Sequence, residues 1–201
     1  MTGDLFGLPP LPGLSSCEAL VSAAEERLLI AAIDATELAP FRFQGWEGKR
    51  LTRSFGHSYD FDRGRLEVGD PMPDWLLPYR ERMAGFAGLP AADFVQALLI
   101  RYDPGAGIGW HRDRPAFEHV LGLSLGAPAV MRFRRRMAAK FERVAVPLPP
   151  RGAYHLTGEA RHGWEHSIAA MAETRWSITF RSLASPIGRP ANADAPDGNM
   201  I

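Results

Sequence analysis

The stretch RWSITFRSL, residues 175–183, alternates without a break. Extended backbone sends successive side chains to opposite faces, so Arg175, Ser177, Thr179 and Arg181 share one side and Trp176, Ile178 and Phe180 the other. Such a segment reads as a β-strand, and in a barrel one of its faces must point inward. Working outward, FVQALLIRY (94–102), HVLGLSLG (119–126), AVMRFRRR (129–136), FERVAVPL (141–148), GAYHLT (152–157) and WEHSIAA (164–170) are short β-like runs separated by turn residues. Strands at that spacing predict a β-sandwich or barrel.

The N-terminal half differs. Ser15 and Glu18 have capping-box spacing, and Leu20, Ala23, Ala24, Leu28 and Ala31 recur at helical intervals, predicting a helix over 16–33. A second helix is expected within 73–87, with Pro78 awkward inside it and Gly88 at its end. Between them, FRFQGWEGKRLTRSFGHSYDF reads as glycine-broken hairpins. The expected class is α+β, mainly β, with N-terminal helices packed on one β body. Residues 15–184 form one domain in this reading, with hairpins at about 41–62 and a β core at about 93–184. A flexible segment, 1–14, precedes it. The Pro-, Gly- and Ala-rich residues 185–201 follow as a disordered tail.

Composition narrows the setting. At 201 residues with 46% hydrophobic and 23% charged residues, the chain suits one globular domain. The single cysteine, Cys17, excludes an internal disulfide framework and a cysteine-based zinc site, and fits a reducing cytoplasm. The start MTGDLFGLPPLPGL has neither the basic nor the apolar region of a signal peptide, and no run approaches the roughly 20 apolar residues that span a bilayer. No membrane association is expected. Net charge is zero, so nothing pulls the whole chain toward polyanions. Lys49 and Lys140 are the only lysines, and the other basic residues are arginine.

Chemistry enters at GIGWHRDRP, residues 107–115. If this segment is a strand, His111 and Asp113 face the same way and offer one nitrogen and one carboxylate oxygen. A two-histidine, one-carboxylate facial triad needs another histidine from a distant strand. His119 is too near in sequence, His155 precedes a turn and His162 lies in a loop. His166, where a strand begins, is the best third ligand. The inner-face pair Arg175 and Arg181 would be costly if buried without anions, and a dicarboxylate would supply them bidentately. Tyr102, on the face shared by Leu98 and Ile100, offers a phenol to the same carboxylate.

Taken together and in order, RYDPGAGIGWHRD, LTGEARHGWEHSI and RWSITFR resemble the AlkB family of Fe(II)/2-oxoglutarate-dependent dioxygenases. The resemblance covers about residues 97–182 and, more loosely, the hairpins near 41–62. It implies a double-stranded β-helix (jelly-roll) core, iron on His111, Asp113 and His166, and 2-oxoglutarate on Tyr102, Arg175, Ser177 and Arg181. Two departures stand out: Ile100 and Ser177 occupy positions where the family often has asparagine. The implied activity is oxidative dealkylation of N-alkylated bases in DNA or RNA, consuming O2 and 2-oxoglutarate and releasing aldehyde, succinate and CO2. The partner is then a nucleic acid, and the protein is expected to act as a monomer.

Candidate substrate contacts are Tyr59, Arg112, Arg114, Arg161 and Trp164, with His162 a further possible stacking surface. The run RFRRRMAAKFER (132–143) reads either as a phosphate-binding patch or as the solvated face of a hairpin. An oxygenase of the same chemistry acting on a protein or small molecule is the rival reading, followed by a non-catalytic binding module.

Overall fold

A computed structural model describes residues 11–43, 46–60 and 65–184. In chain order the elements are β1 (Leu14–Cys17), α1 (Ala23–Asp34), β2 (Ala39–Phe43), β3 (Trp46–Asp60), β4 (Arg65–Val68), α2 (Leu77–Ala87), β5 (Phe94–Tyr102), β6 (Ile108–His111), β7 (Phe117–Gly126), β8 (Ala129–Met137), β9 (Lys140–Leu148), β10 (Ala153–Leu156), α3 (Gly158–His162), β11 (Glu165–Ile168) and β12 (Arg175–Leu183). The major sheet runs β1-β10-β7-β12-β5-β3-β2, with β4 pairing on β3. The minor sheet runs β6-β11-β8-β9.

β12 lies inside the major sheet, antiparallel to β5 on one side and β7 on the other. Both of its faces are covered. Ile178 and Phe180 turn toward α1 and α2, where Leu29, Ile33, Met83 and Leu76 close a core over Leu121, Leu123 and Leu125. Each such apolar side chain contributes about 1.5–3 kcal/mol through its removal from water. The opposite face, carrying Arg175, Ser177, Thr179 and Arg181, lines a cavity between the two sheets. A second core of Val120, Met131, Phe133, Val146, Leu148 and Trp164 packs the rest of that gap.

The helix starts later than its sequence pattern indicates. The Ser-x-x-Glu spacing occurs twice, and the working capping box is Ser22 with Glu25: the Glu25 N–H donates to Ser22 Oγ at 3.2 Å, and the Ser22 N–H to Glu25 Oε2 at 2.8 Å. Ser15 and Ser16 are instead in β1, paired with His155 and Tyr154 of β10. The apolar stripe shifts accordingly. α1 buries Leu29 and Ile33 and leaves Leu28 68% exposed. The second helix fits its expected span, because Pro78 falls in the first turn of α2, where no N–H is needed. Its end is set by Gly88, at φ 68°, which a side chain would strain.

The N-terminal segment, expected to be flexible through residue 14, is packed from Leu11 onward. Leu11 and Leu14 are buried in the second core, and the Gly13 carbonyl accepts from the Thr157 N–H at 2.8 Å. Residues 1–10 and 185–201 lie outside the described residues, as do 44–45 and 61–64 of the expected hairpins. Among the described residues, no helix is long and apolar enough to cross a membrane.

At one edge of the helix-covered face, His119 Nδ1 and His155 Nε2 share a proton at 3.0 Å. Burial, then the charge of His119, push His155 down from 6.5 to about 4. The unfolded chain takes up that proton more readily, so the contribution is fully present above pH 6.5 and lost as pH falls toward 4. The thermal midpoint, followed by circular dichroism, should therefore drop across that window. His155→Gln should show a visibly smaller drop.

Candidate active site

The end of β6 and the start of β11 are cross-strand neighbours, with His111 directly opposite His166. Their imidazole centroids lie 4.3 Å apart with the planes at 54°. The His111 Nδ1–H donates to the Gly109 carbonyl at 2.9 Å, which leaves Nε2 bare. Asp113, two residues on, turns to the same place, with Oδ2 3.6 Å from His166 Nε2. Arg181 reaches in from β12. Its Nε and Nη2 donate to Asp113 Oδ1 at 3.0 and 2.8 Å, while Nη1 donates to Gln96 Oε1 at 3.0 Å.

Electrostatics sets the protonation of these groups. Burial by itself would raise Asp113, but Arg181, then His166 and His111, outweigh it and hold the carboxyl well below its usual range. His166 is pushed down to about 3, chiefly by burial and then by His111. Burial also lowers His111, against the pull of Asp113. At neutral pH the cluster is two uncharged imidazoles beside an ionised carboxylate.

The cavity above it is about 760 Å³. Arg175 is 1% exposed, and its Nη2 donates to Ser124 Oγ at 3.2 Å. Its Nε and Nη1 are buried without any hydrogen-bond partner among the described residues. The guanidinium stands 5.2 Å from the ring centroid of Tyr102, which is opposite it on β5. A buried guanidinium with two idle donors beside a phenol offers the hydrogen bonds that a carboxylate would accept.

Residues 40–181 match the 2OG-Fe(II) oxygenase superfamily. The chain belongs to that superfamily, within its AlkB family. An Arabidopsis thaliana protein named alkylated DNA repair protein ALKBH8 homolog is 30% identical over 79% of this chain and 51% of its own length. The Macaca fascicularis tRNA (carboxymethyluridine(34)-5-O)-methyltransferase ALKBH8 is 30% identical over 78% of this chain and 24% of its own length. This chain thus spans about half or less of these relatives. The human alpha-ketoglutarate-dependent dioxygenase alkB homolog 4 is 25% identical over 89% of this chain and 70% of its own. The solved structure of OsALKBH1 superposes with a TM-score of 0.60 at 14% identity, covering 85% of this chain and 97% of that one. A Pseudomonas putida prolyl-4-hydroxylase gives 0.59 at 15% identity over 86% and 93%. Both share the jelly-roll fold.

The family uses Fe(II) and 2-oxoglutarate with O2. The residues fit these groups. In this structure Arg181 holds one oxygen of Asp113 and the three donors lie side by side. Two neutral histidines and a carboxylate are the donor set Fe(II) takes while keeping positions open. His111, Asp113 and His166 would hold the metal, and Arg175 with Tyr102 and Ser177 would take a carboxylate of 2-oxoglutarate. Arg181 serves Asp113 directly, so its expected place beside the cosubstrate is shared with the metal ligand.

Other expectations resolve differently. Arg112 and Arg114 line the cavity, as a substrate contact requires. Arg161 does not: it is buried, and its Nη2 donates to the Arg114 and Phe117 carbonyls at 2.5 and 2.7 Å, pinning the turn after the ligands. Trp164 is 1% exposed in the second core, its indole N–H donating to Glu159 at 3.1 Å, so no base can stack on it. His162 ends α3 and pairs with Glu118 at 2.9 Å. The Tyr59 side chain lies outside the described residues. Three cavity residues were missed, although Gln96 shares the alternating face of Leu98, Ile100 and Tyr102. Gln96 steadies Arg181, and Tyr154 and Arg50 reach the cavity from β10 and β3. Tyr154 fits only because Gly122 lies beneath it, where a Cβ would overlap the phenol ring.

Two outcomes follow. In a Co(II) titration followed by visible absorption, His166→Ala should abolish binding and His162→Ala should leave it intact. Arg175→Ala removes one partner of a buried charge pair, a loss of about 3–5 kcal/mol. The 2-oxoglutarate dissociation constant, measured calorimetrically, should rise at least about a hundredfold.

Proposed function

We propose that this protein oxidatively removes alkyl groups from ring or exocyclic nitrogens of bases in DNA or RNA. The observation that carries the reading is the cavity. It is lined by His111, Asp113 and His166 together with Arg175, and its volume exceeds what a small dicarboxylate fills. Fe(II) with 2-oxoglutarate and O2 supplies hydroxylation of an N-alkyl carbon, after which the N–C bond opens to aldehyde, with succinate and CO2 as co-products. The chain's own residues do the rest. Arg175 and Tyr102 anchor the dicarboxylate, and Arg181 keeps Asp113 ionised and aimed. The printed names of the relatives, a DNA repair protein, a tRNA methyltransferase and a probable RNA/DNA demethylase from Danio rerio, support a nucleic-acid substrate.

The outer face of the minor sheet supports it too. Trp110 lies at the cavity's rim, with the guanidinium groups of Arg132 and Arg134 5.3 and 4.4 Å from its ring centroid. Phe141 lies under Arg136 and Arg143. Two members of the basic run are engaged elsewhere: Arg134 pairs with Glu165 at 2.6 Å, and Arg135 with Glu142 and Glu159. Among the described residues Arg132, Arg136 and Arg143 carry no ion pair, which leaves their charge for phosphates.

An N-methylated oligonucleotide should yield formaldehyde in step with succinate, measured by mass spectrometry, whereas its unmethylated counterpart should bind and yield none. Replacing Arg132, Arg136 and Arg143 by alanine should flatten the salt dependence of oligonucleotide affinity by roughly 0.7–0.9 in log–log slope per lost contact. Formaldehyde from a methylated peptide or metabolite, with none from any nucleic acid, would overturn the nucleic-acid assignment and leave the oxygenase standing.

A further inference from the structure

Arg50 is a second buried arginine of the cavity whose charge nothing nearby answers. It lies on β3, one position before the Leu51–Arg101 pairing with β5, which brings it alongside Tyr102. It is 8% exposed and lines the cavity. Its guanidinium carbon sits 3.8 Å from the centroid of the Phe41 ring on β2, stacked as guanidinium groups stack on aromatic plates. Among the described residues no carboxylate pairs with it. Burial and, less strongly, the charge of Arg181 lower its proton affinity, and its own charge is felt at His111.

The other buried charges of the cavity are accounted for. Asp113 answers Arg181 and would also ligate the metal. Arg175, with two donors free of any partner among the described residues, would be answered by a carboxylate of the dicarboxylate. Arg50 remains, close to where the reaction must occur and held flat against an aromatic ring. A buried guanidinium without an anion is costly, and a site keeps such a group when a ligand supplies the anion. Arg112 and Arg42 also line the cavity but are more exposed, and Arg42 pairs with Glu47 at 3.3 Å.

We propose that Arg50, on its Phe41 plate, is the receptor for an oxyanion carried by the substrate near the carbon that is oxidised. The inference rests on the dealkylation reading above and names its substrate class: a base whose N-alkyl group ends in a carboxylate. For N–CH2–COO⁻ the balance is simple. One oxygen atom of O2 enters the C–H bond, and the other goes to 2-oxoglutarate, which becomes succinate and CO2. The hydroxylated carbon then loses the base, nitrogen takes the proton, and glyoxylate leaves in place of formaldehyde. The substrate nucleotide's own phosphate is the other source of the same chemistry.

The test compares three oligonucleotides of one sequence, carrying N6-carboxymethyladenine, N6-methyladenine or adenine. Binding to the Co(II)-loaded full chain with 2-oxoglutarate is followed by fluorescence anisotropy. Wild type should bind the carboxymethylated strand at least about tenfold tighter than the methylated one, the size of one charge-assisted contact. Arg50→Gln should erase the preference and Arg50→Lys should keep part of it. The Arg50→Gln chain should melt no lower than wild type, since an unanswered buried charge has been removed. Equal weakening of all three strands by Arg50→Gln would support the receptor with phosphate as its anion. No preference in wild type with no weakening in the variant, or a variant that loses only 2-oxoglutarate affinity, would overturn it. The Fe(II) enzyme separates the two readings. Formaldehyde from the methylated strand, with neither a carboxylate preference nor any weakening by Arg50→Gln, sinks this inference alone. No aldehyde from any strand sinks the nucleic-acid reading, and the receptor is then judged by the binding comparison.

Discussion

A guanidinium placed inside a protein must meet an anion, and the cavity face of β12 carries two. Arg181 meets Asp113 from within the chain. Arg175 finds only a serine hydroxyl and keeps two buried donors idle. This imbalance organises the site. It keeps Asp113 ionised beside two neutral histidines, and it reserves a polar pocket for a carboxylate that the chain does not supply. The helices on the far side of the major sheet make the arrangement affordable, because they let β12 bury its apolar face fully while its polar face lines a hole.

The two sheets divide the work. The minor sheet contributes the candidate metal ligands through one cross-strand pair, His111 with His166, plus the aspartate just past the end of β6. The major sheet contributes the arginines that line the cavity wall, Arg175 and Arg181 from β12 and Arg50 from β3. Because the ligands and their clamp sit on different sheets, the spacing between sheets fixes the depth at which a dicarboxylate can lie. Packing in the second core, with Phe133 against His166 at 5.9 Å and Trp164 filled in behind, sets that spacing. Trp164 is therefore a structural residue, although an aromatic two residues before a ligand invites a stacking role. Arg161 is another such case, since its donors close the turn that follows Asp113.

Periodicity read well wherever one residue's direction follows from its neighbours. The alternation in RWSITFRSL, the shared direction of His111 and Asp113, and the face carrying Leu98, Ile100 and Tyr102 are all properties of extended backbone. The first and third held because both flanking strands impose the pleat, whereas β6 is an edge strand that ends at His111, and Asp113 turns to the same place just past it. The helix start was less legible, since Ser15 and Ser22 both precede a glutamate by three residues. Only the pairing of β1 with β10 removes the first from competition.

What the sequence by itself determined is therefore local and directional: a β body, the cluster His111, Asp113 and His166, and the arginines of β12 with Tyr102. The tertiary structure alone decided which side chains from distant strands share the cavity. Arg50, Gln96 and Tyr154 come from three separate strands, and no spacing along the chain relates them. Their meeting depends on sheet order and on volume, as with Gly122 making room for the Tyr154 ring. The same holds for the arginines of the outer face. Arg134 and Arg135 look alike in sequence to Arg132 and Arg136, but acids from β9, β11 and α3 neutralise them. Alternation fixes which way a side chain points, whereas the charge it meets there is set by chain segments that only folding brings near.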